Sequence, residues 1–476
     1  MRHALVRLTG LLVVLMLVLT GCNLIGVDPI MQLDEDFAAL KKQYSGVVAT
    51  YDGGELTQAD VMGAFNSQYS YMSQMYSMYG VSMTSDVIPD IEKSVTESAV
   101  QDIAIARQLE ARGLSLDEEK LKEIQEEADE HYKEAYDAVF ASAEGENDEV
   151  KAKRTEYNLY TMGYTQDAIY KMELSPANQE LIEQTVRDEI AELSDEELQT
   201  AYDEKVASDE TSYANAPGSF ESAMTSESSV VCWMPEGYRT VKHILVKPED
   251  DVLKAVTDAR SAVTSAEKAL EDLRGELDAL NSGDAEASED SDAAEDAEAE
   301  PTAAPRTAEE IQADIDAAEE NLKTLKADAE KAEEACLASV KDKTDEIYKK
   351  IEDGEDFAAL IEAYGEDPGM QREPGMTRGY YVSSASTTWD ANFTAGAMAL
   401  EKVGDVSEKP VIGTSGVHII RYESDVTPGA VPLEDIRDAL YEQTLDQKKS
   451  DHYDSELKSW IEALNPQYTL ENFNLN

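Results

Sequence analysis

The sequence predicts an α+β protein: a small antiparallel sheet with surrounding helices, a mainly helical lobe, and an antiparallel coiled-coil hairpin inserted into the sheet-containing part. Three observations predict it. Two short apolar strand runs, "VKHILV" (241–246) and "GVHIIR" (416–421), lie far apart in the chain. From Thr57 to about residue 206 the chain carries helix start and stop signals at helical spacing. From 252 to 280, and again from 311 to 339, residues at alternating intervals of four and three form unbroken, mainly apolar seams.

At 476 residues the chain has room for two or three domains. Its formal charge of −60 and pI near 4.2 argue against nucleic acid as a partner, since phosphate binding needs a basic face. The first residues read as a leader spanning 1–21. Arg2 and Arg7 form a positive start, and "LLVVLMLVL" (11–19) is a short apolar core ending in "LTGC". Small residues ahead of a cysteine resemble the lipobox of bacterial lipoproteins, which implies that Cys22 is lipidated and anchors the protein to a membrane. Only Cys232 and Cys336 remain, so the chain is no disulfide scaffold, and no CxxC or His/Cys cluster suggests a metal.

Residues 22–45 read as a tether. "VVATYDGGELTQADV" reads as a strand, a Gly-Gly turn and a helix capped at Thr57 with Asp60 three residues on. The helical domain is expected over 46–235. Gly113 ends one helix, and Ser115 with Glu118 and Ser194 with Glu197 read as capping boxes. "YSYMSQMYSMYG" (69–80), rich in Met and Tyr, reads as adaptable helical core or as a cradle for unfolded chain. Residues 207–230 read as a polar connector.

The insertion, 251–340, carries two seams. Val252, Val256, Ala259, Val263, Ala266, Leu270, Leu273, Leu277 and Leu280 form one; Ile311, Ile315, Ala318, Leu322, Leu325, Ala329, Ala332, Cys336 and Ser339 form the other. Pairing Leu280 with Ile311, Leu270 with Leu322 and Val256 with Cys336 keeps one register throughout, as an antiparallel two-stranded coiled coil requires. At 1.5 Å per residue each arm is about 43 Å long. The tip, 281–305, has nine acidic residues before Pro301 and no basic one there, so it reads as a disordered, solvated loop. Beyond the hairpin come an amphipathic helix, turn-rich sequence, the final strand pair, and a long amphipathic helix within 425–476 expected to pack on the helical lobe.

No GxSxG elbow, HExxH, P-loop or GxGxxG is present. Ser415 lies three residues before His418, but on a strand they face opposite ways and nothing supplies an orienting acid. His131 and His452 sit in charged helical contexts and read as solvent-facing. His243 and His418 instead lie inside apolar strands, where a lone histidine is usually a satisfied core residue.

Together with "GEDFAALIEAYGEDPG" (354–369) and "VGDVSEKPVIGTSGVHII" (403–420), the "KHILVK" strand resembles a parvulin-type peptidyl-prolyl isomerase. The likeness covers 238–250 and about 341–423, placing that domain at 236–250 and 341–424. The surrounding plan resembles exported foldases related to PrsA and SurA, whose terminal helices build one SurA-N-like chaperone lobe. The resemblance implies that His243 and His418 are the paired histidines under the active site and that Asp367 faces the substrate carbonyl. It implies that Tyr380, Trp389 and Phe393 line the proline pocket with Met398 nearby, and that Ser415 holds the small hydroxyl position before the second histidine. Tyr380 and Trp389 stand where Leu and Met are common.

Xaa-Pro rotation has a barrier of about 18–20 kcal/mol from amide resonance. A catalyst need only hold the ring in an apolar pocket and favour the twisted amide, with no metal, nucleotide or other cofactor. Lys247 is followed by Pro248, Glu249, Asp250 and Asp251, whose charges oppose a phosphorylated substrate. The expected function is a lipid-anchored foldase on the extracytoplasmic face of the cell membrane, acting on unfolded or partly folded exported proteins. A catalytically weak holdase and an envelope scaffold are the alternatives, and homodimerisation through the helical lobe is left open.

Overall fold

A computed structural model describes residues 28–145, 147–282 and 306–473. The leader with Cys22 and nearly all of the acidic tip lie outside the described residues. The described chain starts with helix α1 (Pro29–Gln43), strands β1 (Val47–Tyr51) and β2 (Gly54–Thr57), and helices α2 (Gln58–Met78), α3 (Ile88–Arg112), α4 (Glu118–Ser142), α5 (Asp148–Thr161) and α6 (Gln166–Arg187). Helices α7 (Asp195–Tyr213) and α8 (Pro217–Thr225) precede strands β3 (Trp233–Met234) and β4 (Arg239–Val246). Long helices α9 (Asp250–Ser282) and α10 (Ala308–Glu352) lead to α11 (Phe357–Tyr364), α12 (Gly375–Arg378), β5 (Tyr380–Val382) and α13 (Ala391–Met398). The chain continues through β6 (Val411–Gly413), β7 (Gly416–Asp425), β8 (Gly429–Ala430), α14 (Leu433–Ala463) and β9 (Gln467–Tyr468). Among the described residues no helix is long and apolar enough to cross a membrane.

Two compact units divide the chain. The first takes the described residues up to Glu192 and those from Leu445 onward. Ile91, Val95, Ile105 and Leu109 of α3, at helical spacing, pack with Ile182 and Val186 of α6, Val48 of β1, and Tyr453 and Trp460 of α14. Capping boxes at Thr57–Asp60 and Ser194–Glu197 are present, and Gly113 closes α3 in the left-handed conformation, φ 68°. The α4 cap differs from expectation. Asp117, not Ser115, is the N-cap, because its carboxylate accepts from the Lys120 N–H at 2.7 Å. Nor are residues 22–45 simply a tether: Leu33, Leu40 and Tyr44 are buried, Asp28 caps α1, and the spacing 33, 37, 40, 44 was the helical signal.

The second unit spans Leu193–Thr444. It corrects the expected connector at 207–230, which is largely helical. Phe220 of α8 is fully buried, edge-on to Tyr238 at 4.7 Å and Tyr381 at 5.6 Å. The carboxylate of Asp209, also buried, accepts from the Cys232 N–H at 2.7 Å and pairs with Lys205. Polar composition misled here because these polar groups are satisfied internally rather than solvated. The helical domain therefore does not run to 235. Similarly, Leu440 of α14 packs with Leu198 and Cys232 in this unit, while the later part of that helix serves the first.

The four-stranded antiparallel sheet has the order β5-β4-β7-β6. Its β4–β7 register sets His243 opposite Ile420 and Leu245 opposite His418. Opposed residues in an antiparallel pair share a face, so the two histidines are diagonal neighbours on one side. The other side presents Ile244, Val246, Val417 and Ile419 to Ile347 of α10 and to Phe357, Leu360 and Ile361 of α11. The histidine side is lined by Val241, Ile420 and Tyr422 and covered by Phe393 and Ala397 of α13.

Helices α9 and α10 pair antiparallel. Cross-helix ion pairs join Arg260 to Glu333, Lys326 to Glu267 and Arg274 to Glu319, while Leu270 is buried with Ile311 and Ile315. The base of the pair is not separate from the sheet. Val256, Cys336 and Val340 belong to the apolar cluster beneath it, and Arg260 Nη1 donates to the Ile412 carbonyl at 3.0 Å. Cys336 and Cys232 are both buried and free, in different clusters.

Candidate active site

The site is built where β4 and β7 bring two histidines together under the loop that follows α11. Glu366 N–H donates to the Leu245 carbonyl at 2.9 Å, and the Glu366 carboxylate pairs with Lys343 of α10. That anchor fixes the next residue, Asp367. Its Oδ1 accepts from the Gly369 N–H at 2.9 Å, while Oδ2 meets His243 Nε2 at 2.8 Å and accepts from the Tyr380 hydroxyl at 2.8 Å. His243 Nδ1 lies 3.0 Å from His418 Nδ1. Four side chains thus form one hydrogen-bonded series.

The series constrains its own protons. Burial alone would raise the Asp367 carboxyl, but the His243 hydrogen bond and charge, the Tyr380 hydroxyl and the Gly369 N–H together hold it down at about 2. A carboxylate only accepts, so His243 Nε2 carries a proton. Across the His243 Nδ1–His418 Nδ1 contact one nitrogen donates and the other accepts. His418, 6% exposed, is pushed down to about 3, chiefly by burial and then by His243 beside it, with Asp367 opposing. It is neutral near pH 7. Burial first, and then the Asp367 bond, keep the Tyr380 phenol protonated far above its ordinary range.

An aromatic wall covers this series. Phe393 is edge-on to His243 at 5.2 Å and to His418 at 5.1 Å. Tyr380 stacks on Trp389 with centroids 4.3 Å apart and planes 16° from parallel, and Trp389 Nε1 donates to the Tyr381 carbonyl at 2.7 Å. Met398 packs against the same cluster, and Asp390 caps α13 so that Phe393 faces the sheet. A small residue is needed at Gly413, where a Cβ would lie 2.9 Å from His418 Nε2. Six of the sequence-predicted residues, His243, Asp367, His418, Tyr380, Trp389 and Phe393, therefore meet, with Met398 at the margin.

Ser415 does not join them. Gly413 pairs with Gly416, which leaves Thr414 and Ser415 as the exposed two-residue turn of the β6–β7 hairpin. The family resemblance implied a place for it beside His418; the hairpin register removes it. Sequence reasoning missed Glu221 of α8, which is fully buried behind the wall. Its only sequence signal was an acidic residue next to Phe220 in a short apolar helix. Of the helical histidines, His131 is exposed, whereas His452 is half-buried against Glu189 at 3.2 Å.

Residues 322–424 match the rotamase family, whose model is described as a PPIC-type PPIASE domain. The chain thus carries a parvulin-type peptidyl-prolyl cis/trans isomerase domain. Its curated relatives include the foldase protein PrsA of Clostridium botulinum strain Hall, 25% identical over 127 residues, 27% of this chain and 37% of the relative. That of Clostridium kluyveri strain ATCC 8527 is 29% identical over 127 residues, 27% of this chain and 36% of the relative. The chain is similar to these PrsA foldases over little more than a third of their length. A solved structure of peptidylprolyl isomerase PrsA from Bacillus anthracis aligns at 12% identity and TM-score 0.18, covering 79% of this chain and 99% of that one. The family match begins within α10, so β4 and His243, displaced by the inserted helices, lie outside it.

Proposed function

We propose that the protein is a membrane-anchored extracytoplasmic foldase that accelerates cis/trans isomerisation of Xaa-Pro bonds in newly exported proteins. The observation that carries this reading is the hydrogen-bonded series from His418 through His243 and Asp367 to Tyr380, lying under the Tyr380–Trp389–Phe393 wall. An apolar wall suits the proline ring. Asp367, half-buried and ionised, supplies fixed negative potential where the carbonyl rotates out of conjugation, and His243 and His418 hold that carboxylate in one orientation. Such a site lowers the barrier by favouring the twisted amide over either planar form, with no covalent step.

The remaining assignments rest on this reading. His243, Asp367 and His418 are the catalytic group, with Tyr380, Trp389, Phe393 and Met398 binding substrate. Cys22 carries the lipid anchor, the first unit is the chaperone lobe that holds unfolded clients, and α9–α10 form a coiled coil. No phosphate preference is expected, because Glu249, Asp250 and Asp251 follow the first strand and Lys343 is already paired with Glu366.

One observation favours a second reading, a holdase of weak catalytic power: the Asp367 oxygen that faces the wall is already engaged by Tyr380. Measuring Xaa-Pro exchange and suppression of client aggregation on the same preparation separates the two. The foldase reading expects Asp367→Ala to lose exchange while aggregation suppression persists. Exchange at the uncatalysed rate in the unaltered protein would leave the holdase.

A further inference from the structure

We propose that Glu221 of α8 is a positioning residue that fixes the Trp389 side of the proline-binding wall and thereby sets substrate affinity. The inference rests on the isomerase reading of the site. Glu221 is fully buried, and a buried carboxylate is tolerated only where donors satisfy it. Its Oε1 accepts from the Tyr238 hydroxyl at 3.0 Å. Its Oε2 accepts from the backbone N–H of Thr388 at 3.0 Å and of Thr387 at 3.4 Å. Those are the two residues immediately before Trp389.

The rest of the loop explains why this grip matters. Ser383 and Ser386 close their end: Ser383 N–H donates to Ser386 Oγ at 2.9 Å and Ser386 N–H to the Ser383 carbonyl at 3.1 Å. The far end is tied by Asp390, which caps α13. Thr387 and Thr388 lie between these ties, and Glu221 supplies the acceptor for both of their amides. Helix α8 approaches them closely, since a Cβ at Gly218 would sit 2.9 Å from Thr387 Oγ1. Phe220 holds that helix against Tyr238 and Tyr381, and the Tyr381 carbonyl accepts from Trp389 Nε1. Both the backbone before Trp389 and the acceptor for its indole are therefore set from α8. Its hydrogen bonds go to Tyr238, Thr387 and Thr388 and none joins it to His243, Asp367 or His418, so the effect of Glu221 falls on binding rather than on rotation.

The test compares the unaltered protein with Glu221→Ala and Glu221→Gln, measuring kcat and KM for an Xaa-Pro peptide and its Kd by calorimetric titration. For Glu221→Ala the expected result is a KM and Kd raised about five- to tenfold with kcat within twofold. Glu221→Gln, whose amide oxygen still accepts from one backbone N–H, should recover most of this, leaving a rise of about two- to threefold. A folded Glu221→Ala with unchanged Kd, or one that loses kcat at constant KM, overturns the proposal. If circular dichroism shows that Glu221→Ala does not fold, Glu221→Gln decides: an unchanged Kd overturns the proposal and a two- to threefold rise supports it. An unaltered protein that binds the peptide without accelerating exchange refutes the isomerase reading, and Kd then still decides the role of Glu221. One that neither binds nor catalyses overturns both.

Discussion

The Tyr380 hydroxyl and the His243 imidazole converge on one oxygen, Asp367 Oδ2, each at 2.8 Å. Two donors on one carboxylate oxygen stabilise the charged form beyond what either gives alone, which is why Asp367 is held at about 2 despite burial that would raise it. Tyr380→Phe keeps the stack on Trp389 and removes one donor. The Asp367 carboxyl should then titrate higher, followed by its carbon NMR shift, while isomerase activity falls less than in Asp367→Ala.

Acid should destabilise the unit that contains the site. His418 has a folded pKa near 3, depressed from an unfolded value of 6.5, so the unfolded state binds the extra proton first. Stability from this group is complete above about pH 6.5 and is lost as the pH falls toward 3. Asp367 adds a second loss between 3.8 and about 2, in the same direction. Urea unfolding at pH 7.0, 5.5 and 4.5 should show a decline on the order of a few kcal/mol, and His418→Phe should flatten the part of it above pH 4.5.

Gly413→Ala probes the space beside His418. The added methyl would lie 2.9 Å from Nε2 and 3.2 Å from Cδ2 of a buried ring. Overpacking of this kind costs about 1–3 kcal/mol, and the ring can yield only by turning away from His243. Chemical denaturation should register the loss of stability, and isomerase activity should drop several-fold.

The two ends of the α9–α10 pair should respond differently. Val256 belongs to the cluster under the sheet, so Val256→Ala leaves a cavity there and should cost the sheet-containing unit roughly 1–3 kcal/mol. Leu270 sits in the separate outer cluster with Ile311 and Ile315. Leu270→Ala should loosen only the outer hairpin, leaving the isomerase rate within twofold, as hydrogen exchange and the peptide assay would report.

The helix pair and both histidine strands were legible in sequence because each depends on local periodicity. Seam spacing named Val256, Leu270, Ile311 and Cys336, and apolar alternation framed His243 and His418. What periodicity does not encode is how polar residues are satisfied. Their Ser, Ala and Thr content made residues 207–230 look solvated, although Asp209 and Glu221 within them are buried and bonded to backbone amides whose positions only the tertiary fold supplies. Ser415 failed for a related reason. Its role was implied by the parvulin resemblance, while strand register, set by Gly413 opposite Gly416, turned it outward. The Tyr380 hydroxyl bond to Asp367 had no sequence signal, since the loop between residues 367 and 380 follows no repeat.

The most direct measurement is the rate of cis-to-trans exchange in an Xaa-Pro tetrapeptide, with and without the protein spanning residues 28–476. Acceleration above the uncatalysed rate, reduced at least tenfold by either His243→Ala or Asp367→Ala, is the predicted result. No acceleration by the unaltered, folded protein would contradict the assignment of this site to proline isomerisation.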